Sequence, residues 1–219
     1  MQKRKYVAEF IGTFALVFCG TGAIIINEQT QGAVTHIGVA ITFGLVVLAM
    51  IYAFGETSGA HFNPAVTLSF AVVNRFDKKQ ILPYISSQIA GAFLASLLLK
   101  FLFPENVNLG STLPAGSQMQ SFILELILTY ILMLVIIHVS QGSKEIGVIA
   151  GIAIGATVGL EAMFAGPISG ASMNPARSLA PAIVSGNIQS LWIYQVAPSL
   201  GAIASVLTWR SMHEMNSNK

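Results

Sequence analysis

The chain has 219 residues, 54% hydrophobic and only 9% charged, with a net charge of +2, a pI near 8.8 and a mean hydropathy of +0.71. A soluble domain carries roughly a quarter charged residues, so a water-facing globular surface is excluded. The basic residues flank apolar runs and form no groove-sized patch, which excludes nucleic acid as a partner.

A helix needs about 20 apolar residues to cross the hydrocarbon of a bilayer. Six runs qualify: 6–27, 34–54, 81–103, 120–139, 146–165 and 191–209. The first follows Lys3-Arg4-Lys5, but its length and its Glu9 make it a retained helix rather than a signal peptide. Its Cys19 is the single cysteine, so no disulfide forms within the chain. That thiol reads as a small buried apolar group rather than a reactive one. Lys3, Arg4, Lys5, Arg75, Lys78, Lys79, Lys144, Arg210 and Lys219 fall on one side of a six-span arrangement, against Lys100 and Arg177 on the other. The positive-inside asymmetry puts both termini in the cytoplasm.

Between the second and third runs comes His61-Phe62-Asn63-Pro64-Ala65-Val66. Between the fifth and sixth comes Ser172-Met173-Asn174-Pro175-Ala176-Arg177. Asparagine is a favoured N-cap and proline suits the first helical turn. Each phrase therefore opens a helix, over 64–73 in one case and from 175 to about 185 in the other. Ten residues span roughly 15 Å, about half the hydrocarbon. Residues 104–119, with Pro104, Asn106, Asn108, Gly110, Pro114 and Gly116, form a loop between the two halves, 1–103 and 120–219.

The halves match further. Ala8-Glu9-Phe10-Ile11-Gly12-Thr13 begins the first helix, and Leu124-Glu125-Leu126-Ile127-Leu128-Thr129 begins the fourth. Three spans per half is an odd number, so the second half is inverted in the membrane relative to the first, and paired broken segments mark a midplane site. The fold class is thus an all-α membrane protein, one domain over 1–219. It has six transmembrane helices and two re-entrant half-helices in an inverted repeat, joined by an extracellular loop. In the fifth run Gly147, Gly151, Gly155 and Gly159 form one helical stripe, which reads as close backbone packing on another helix.

In such a pair the N-termini of the half-helices meet at the centre, with both positive dipole ends on one spot. Each asparagine oxygen caps its helix and leaves its amide N–H groups free to donate. A site of donors and positive potential accepts an oxygen and repels a cation. Gly59, Ala60 and His61, with Gly170, Ala171 and Ser172, are irregular backbone at membrane depth. Such backbone survives where it lines a water-filled cavity, and these residues are expected to turn carbonyls into it. Glu9 and Glu125 are carboxylates at matching positions. They read as supports for the re-entrant loops in preference to a proton relay. Glu161 has Thr42 as its counterpart; it either reaches a vestibule or bonds a loop. His36, His61, His138 and His213 show no metal-ligand spacing, so no metal and no cofactor are expected. No nucleophile–base pair or phosphate-cradling loop suggests an enzyme.

The phrases Ser58-Gly59-Ala60-His61-Phe62-Asn63-Pro64-Ala65-Val66-Thr67 and Gly166-Pro167-Ile168-Ser169-Gly170-Ala171-Ser172-Met173-Asn174-Pro175-Ala176-Arg177-Ser178 resemble those of the major intrinsic protein family, the aquaporins and aquaglyceroporins. The resemblance covers essentially the whole chain. The second phrase is similar to the nodulin-like branch, associated with glycerol, small uncharged solutes and metalloid hydroxides. The resemblance implies a homotetramer in membrane lipid, with a pore through each subunit. It also implies a selectivity filter of Phe43, Ala162, Ala171 and Arg177. The expected function is a passive channel in the cell membrane for water, glycerol, urea and hydroxides such as boric or arsenous acid, excluding protons and ions. A strictly water-selective channel is the alternative, with a coupled inverted-repeat transporter further behind.

Overall fold

The structure, a computed structural model, describes residues 2–141 and 147–217. Lys144 and Lys219, used above for orientation, and Ile146 at the start of the fifth run lie outside them. Six helices are long and apolar enough to span a bilayer. They are α1 (Gln2–Gln29), α2 (Thr35–Ser58), α4 (Ile81–Leu102), α5 (Gln118–Gln141), α6 (Ala150–Ser169) and α8 (Leu191–Ser217). Two short helices, α3 (Pro64–Val72) and α7 (Pro175–Ser185), follow the Asn-Pro-Ala phrases. At nine and eleven residues they measure about 14 and 17 Å, and together they match the roughly 30 Å hydrocarbon.

The two halves share one packing scheme. α1 lies along α4, and α5 along α8; α2 meets α6 across the halves. Glycines permit the closest approaches. A Cβ on Gly91 would sit 2.2 Å from the Phe10 carbonyl oxygen, and one on the matching Gly201 would sit 2.1 Å from that of Leu126. Each half-helix packs on the last helix of the opposite half, α3 on α8 and α7 on α4. The halves are thereby interlocked rather than side by side.

Most sequence-drawn spans are shorter than the helices, because polar residues such as Lys3 and Glu56 continue the helix beyond the apolar run. The fifth differs most. It ends at Ser169, four residues beyond the apolar boundary, and contains Pro167. Proline normally interrupts a helix because it lacks an N–H for the carbonyl four residues back. Here that carbonyl, on Met163, accepts from His36 Nε2 at 2.6 Å.

The glycine stripe packs on α2. Cβ atoms on Gly151 and Gly155 would meet the Tyr52 ring at 2.8 Å and the Gly44 carbonyl at 2.6 Å; Gly159 faces the Ala40 carbonyl at 3.5 Å. Gly147 has nothing within 4 Å among the described residues. Cys19 corrects an expectation: it is exposed on the outside of α1 rather than buried. It shares that outer surface with apolar side chains such as Ile11, Leu45, Leu97 and Phe101.

Candidate pore

The chain enters each half-helix through the same backbone turns. Gly59, Ala60 and Phe62 have φ of 87°, 51° and 49°; Gly170, Ala171 and Met173 have 85°, 41° and 53°. Four of these six are not glycine. Left-handed backbone of that kind persists only where the surroundings over-determine it, and here a buried carboxylate does so. Glu9 Oε1 accepts from Ser58 Oγ at 2.7 Å and His61 N at 3.0 Å; Oε2 accepts from Phe62 N and Gln88 Nε2, both at 2.7 Å. Glu125 Oε1 accepts from Ser169 Oγ at 2.8 Å and Ser172 N at 2.9 Å, and its Oε2 from Met173 N at 2.9 Å. Tyr84 and Tyr194 hydroxyls donate to the carbonyls of Ser58 and Ser169.

The asparagines then cap. Asn63 Oδ1 accepts from Ala65 N at 2.9 Å, and Asn174 Oδ1 from Ala176 N at 3.0 Å and Arg177 N at 3.3 Å. Their amides are not wholly free, as the sequence suggested. Asn63 Nδ2 donates to the Met173 carbonyl at 2.7 Å, and Asn174 Nδ2 to that of Phe62 at 2.8 Å. This reciprocal exchange ties the half-helices together across the repeat. A carboxamide nitrogen carries two hydrogens, so each asparagine keeps one donor.

A cavity of about 840 Å³ extends from Glu56 and Thr57, at the end of α2, past both asparagines to Phe43, Ala171 and Arg177. Gly59, Ala60, His61 and Ser172 line it; Gly170 and Ala162 do not. Along its sides stand apolar residues such as Leu16, Val66, Leu132 and Val158. His61 stacks among Phe70, Phe76 and Tyr84, with Nδ1 3.1 Å from Thr67 Oγ1.

Arg177 is buried in α7, with its guanidinium carbon 5.1 Å from the centre of the Phe43 ring. Its Nη1 donates to the Gly110 carbonyl at 2.8 Å, while Nε has no partner among the described residues. Ala162 is buried on α6. Glu161, beside it, is 1% exposed, and neither carboxyl oxygen has a hydrogen-bond partner among the described residues. It bonds no loop and opens to no vestibule, so neither sequence reading of it holds. Among the described residues no cluster of three or more His, Cys, Asp or Glu is placed to hold a metal.

The Gly110 carbonyl escapes sequence reasoning. It sits in the connecting loop, which folds back over α7 and is held by Thr112 Oγ1 donating to Ser178 Oγ at 2.7 Å and Ala115 N to the Ile168 carbonyl at 2.9 Å. A backbone acceptor from a distant loop carries no side-chain signal. The serine and tyrosine supports were findable, because Ser58 and Ser169, and Tyr84 and Tyr194, occupy matching places in the repeat.

The Major intrinsic protein family profile matches residues 1–209. The chain belongs to the major intrinsic protein family. It is 48% identical over 214 residues to Aquaporin NIP1-1 of Oryza sativa subsp. japonica, a match covering 97% of this chain and 75% of that protein. It is 45% identical over 202 residues to Nodulin-26 of Glycine max, covering 92% of this chain and 74% of that one. The X-ray structure of the aquaglyceroporin from Plasmodium falciparum superposes with a TM-score of 0.82 at 28% identity, over 95% of this chain and 96% of that one. This aquaporin-family protein is therefore an integral, multi-pass membrane protein and a channel for water and small solutes. Its curated relatives are aquaporins, channels rather than enzymes.

Proposed function

We propose that the channel conducts water together with small uncharged solutes, of which glycerol, urea and metalloid hydroxides such as boric and arsenous acid are the candidates. Phe43, Ala162, Ala171 and Arg177 form its filter. The observation that carries this reading is the Phe43–Arg177 pair, 5.1 Å apart beside Ala171. One wall is an aromatic face for a carbon backbone, another a guanidinium able to donate to a hydroxyl, and the other two are methyl groups. A polyol satisfies both kinds of wall; an ion loses its hydration there without replacement ligands.

Deeper in, the two half-helix N-termini converge on Asn63 and Asn174, whose remaining amide hydrogens offer donors to a passing oxygen. Gly59, Ala60, His61, Ala171 and Ser172, which line the cavity, supply carbonyl acceptors. Hydronium and metal cations meet the positive ends of both dipoles. Glu9 and Glu125 hold the loops and do not exchange protons with the lumen. In the cell the channel works as a homotetramer in the plasma membrane, as one domain whose inverted halves meet at an extracellular loop, with both termini cytoplasmic. Lys3, Arg4, Lys5, Arg75, Lys78 and Lys79 on one side support that orientation.

The narrower alternative, a channel for water alone, draws on Ala162 standing outside the cavity lining. Stopped-flow light scattering on proteoliposomes decides between them. The account expects re-swelling in glycerol well above that of empty liposomes. Fast water flux with glycerol at the empty-liposome rate establishes the alternative.

A further inference from the structure

α2 and α6 run antiparallel and meet once in each turn of α6. Tyr52 lies on Gly151, Gly44 on Gly155 and Ala40 on Gly159. The last step is polar. His36 Nε2 lies 2.6 Å from the Met163 carbonyl oxygen. A carbonyl only accepts, so Nε2 carries the hydrogen and donates. That carbonyl is available because Pro167, inside α6, has no N–H to offer it. Gly166 admits the imidazole, since a Cβ there would stand 3.0 Å from His36 Cε1. Three separate sequence features, a histidine, a glycine and a mid-helix proline, thus make one joint.

The joint sits beside two filter walls. His36 is seven residues before Phe43, two turns along the same face of α2, and Met163 directly follows Ala162. The Gly44–Gly155 crossing fixes the other side of this pair. We propose that His36 is a positioning residue for selectivity: by donating to the carbonyl that Pro167 leaves open, it holds α6 against α2 and sets the gap between Phe43 and Ala162. The inference rests on the filter reading given above. Without the bond, the end of α6 is free to lean away from α2, the gap widens, and larger solutes gain on water.

The test is the ratio of glycerol to water permeability in proteoliposomes. His36→Ala is expected to raise it by about threefold or more, the scale of one net hydrogen bond. Adding Pro167→Ala to that variant gives α6 its own N–H for the Met163 carbonyl and is expected to return the ratio toward wild type. His36→Gln keeps a side-chain donor and is expected to stay near wild type. A His36→Ala ratio equal to wild type overturns the proposal. So does a raised ratio that Pro167→Ala does not restore, because the effect then does not pass through that carbonyl. If His36→Ala does not fold, an altered ratio in a well-folded His36→Gln overturns it instead, and a wild-type ratio there supports it. Wild-type protein that moves water but no glycerol refutes the solute class separately. The same variants are then read by water permeability, where His36→Ala must differ from wild type and Pro167→Ala must restore it.

Discussion

Glu125 and Glu161 are buried carboxyls on neighbouring helices with opposite surroundings. Glu125 accepts three hydrogen bonds, one from Ser169 at the end of α6 and two from the re-entrant loop; among the described residues Glu161 accepts none. Removing an acceptor from buried donors costs about 1–3 kcal/mol for each one left unpaired, whereas an apolar replacement for an unpartnered polar group is neutral or favourable. Glu125→Ala is therefore expected to lower the melting midpoint in detergent by many degrees and to abolish conduction. Glu161→Leu is expected to melt at or above the wild-type midpoint; a large drop would mean that its carboxyl is satisfied by a group outside the described residues. In the proposed filter, Ala162→His adds an imidazole at the constriction. Glycerol permeability should fall about tenfold more than water permeability, the scale on which a misfitting side chain discriminates substrates. Equal loss of both would contradict the assignment of Ala162 to the constriction.

The α2–α6 pair shows what spacing on a helix does and does not disclose. The stripe Gly151, Gly155, Gly159 was legible because four-residue spacing places small residues on one face, and it meets Gly44 with backbone contact. Gly44→Val pushes a branched side chain to within 2.7 Å of the Gly155 carbonyl. It should destabilise by about 3 kcal/mol and disturb Phe43 beside it. Gly147, which meets no heavy atom within 4 Å among the described residues, should accept alanine with a gain of up to about 1 kcal/mol from the lower entropy of the unfolded chain. Thermal unfolding of the two variants checks both signs. The half-helices, their caps and both supporting glutamates were likewise legible, since each appears twice at matching positions. The exchange of amide hydrogen bonds between Asn63 and Met173, and between Asn174 and Phe62, was not. It joins backbone carbonyls to side chains across the halves, and local periodicity is silent on such pairs. The end of α6 was misplaced for a related reason: Pro167 reads as a helix stop unless a distant histidine serves the carbonyl it leaves open.

Across the whole molecule, two inverted halves bring two helix N-termini to one midplane and put a buried arginine beside them. Apolar side chains face outward from the six long helices, while polar groups face inward where the repeat pairs them. The groups that meet at the centre are the uncharged amides of Asn63 and Asn174, which suit the proposed passive channel. In the proposed mechanism positive potential along the path opposes cations, and the donors at Asn63 and Asn174 orient water oxygens toward the centre. The most direct test of this account uses purified protein in liposomes loaded with a pH-sensitive dye. Osmotic water flux and internal pH are followed together after a step in osmolarity and pH. The account predicts water permeability far above that of empty liposomes, independent of any ion gradient, with proton entry at the empty-liposome rate. Proton entry that scales with water flux, or water flux that requires an ion gradient, would contradict it.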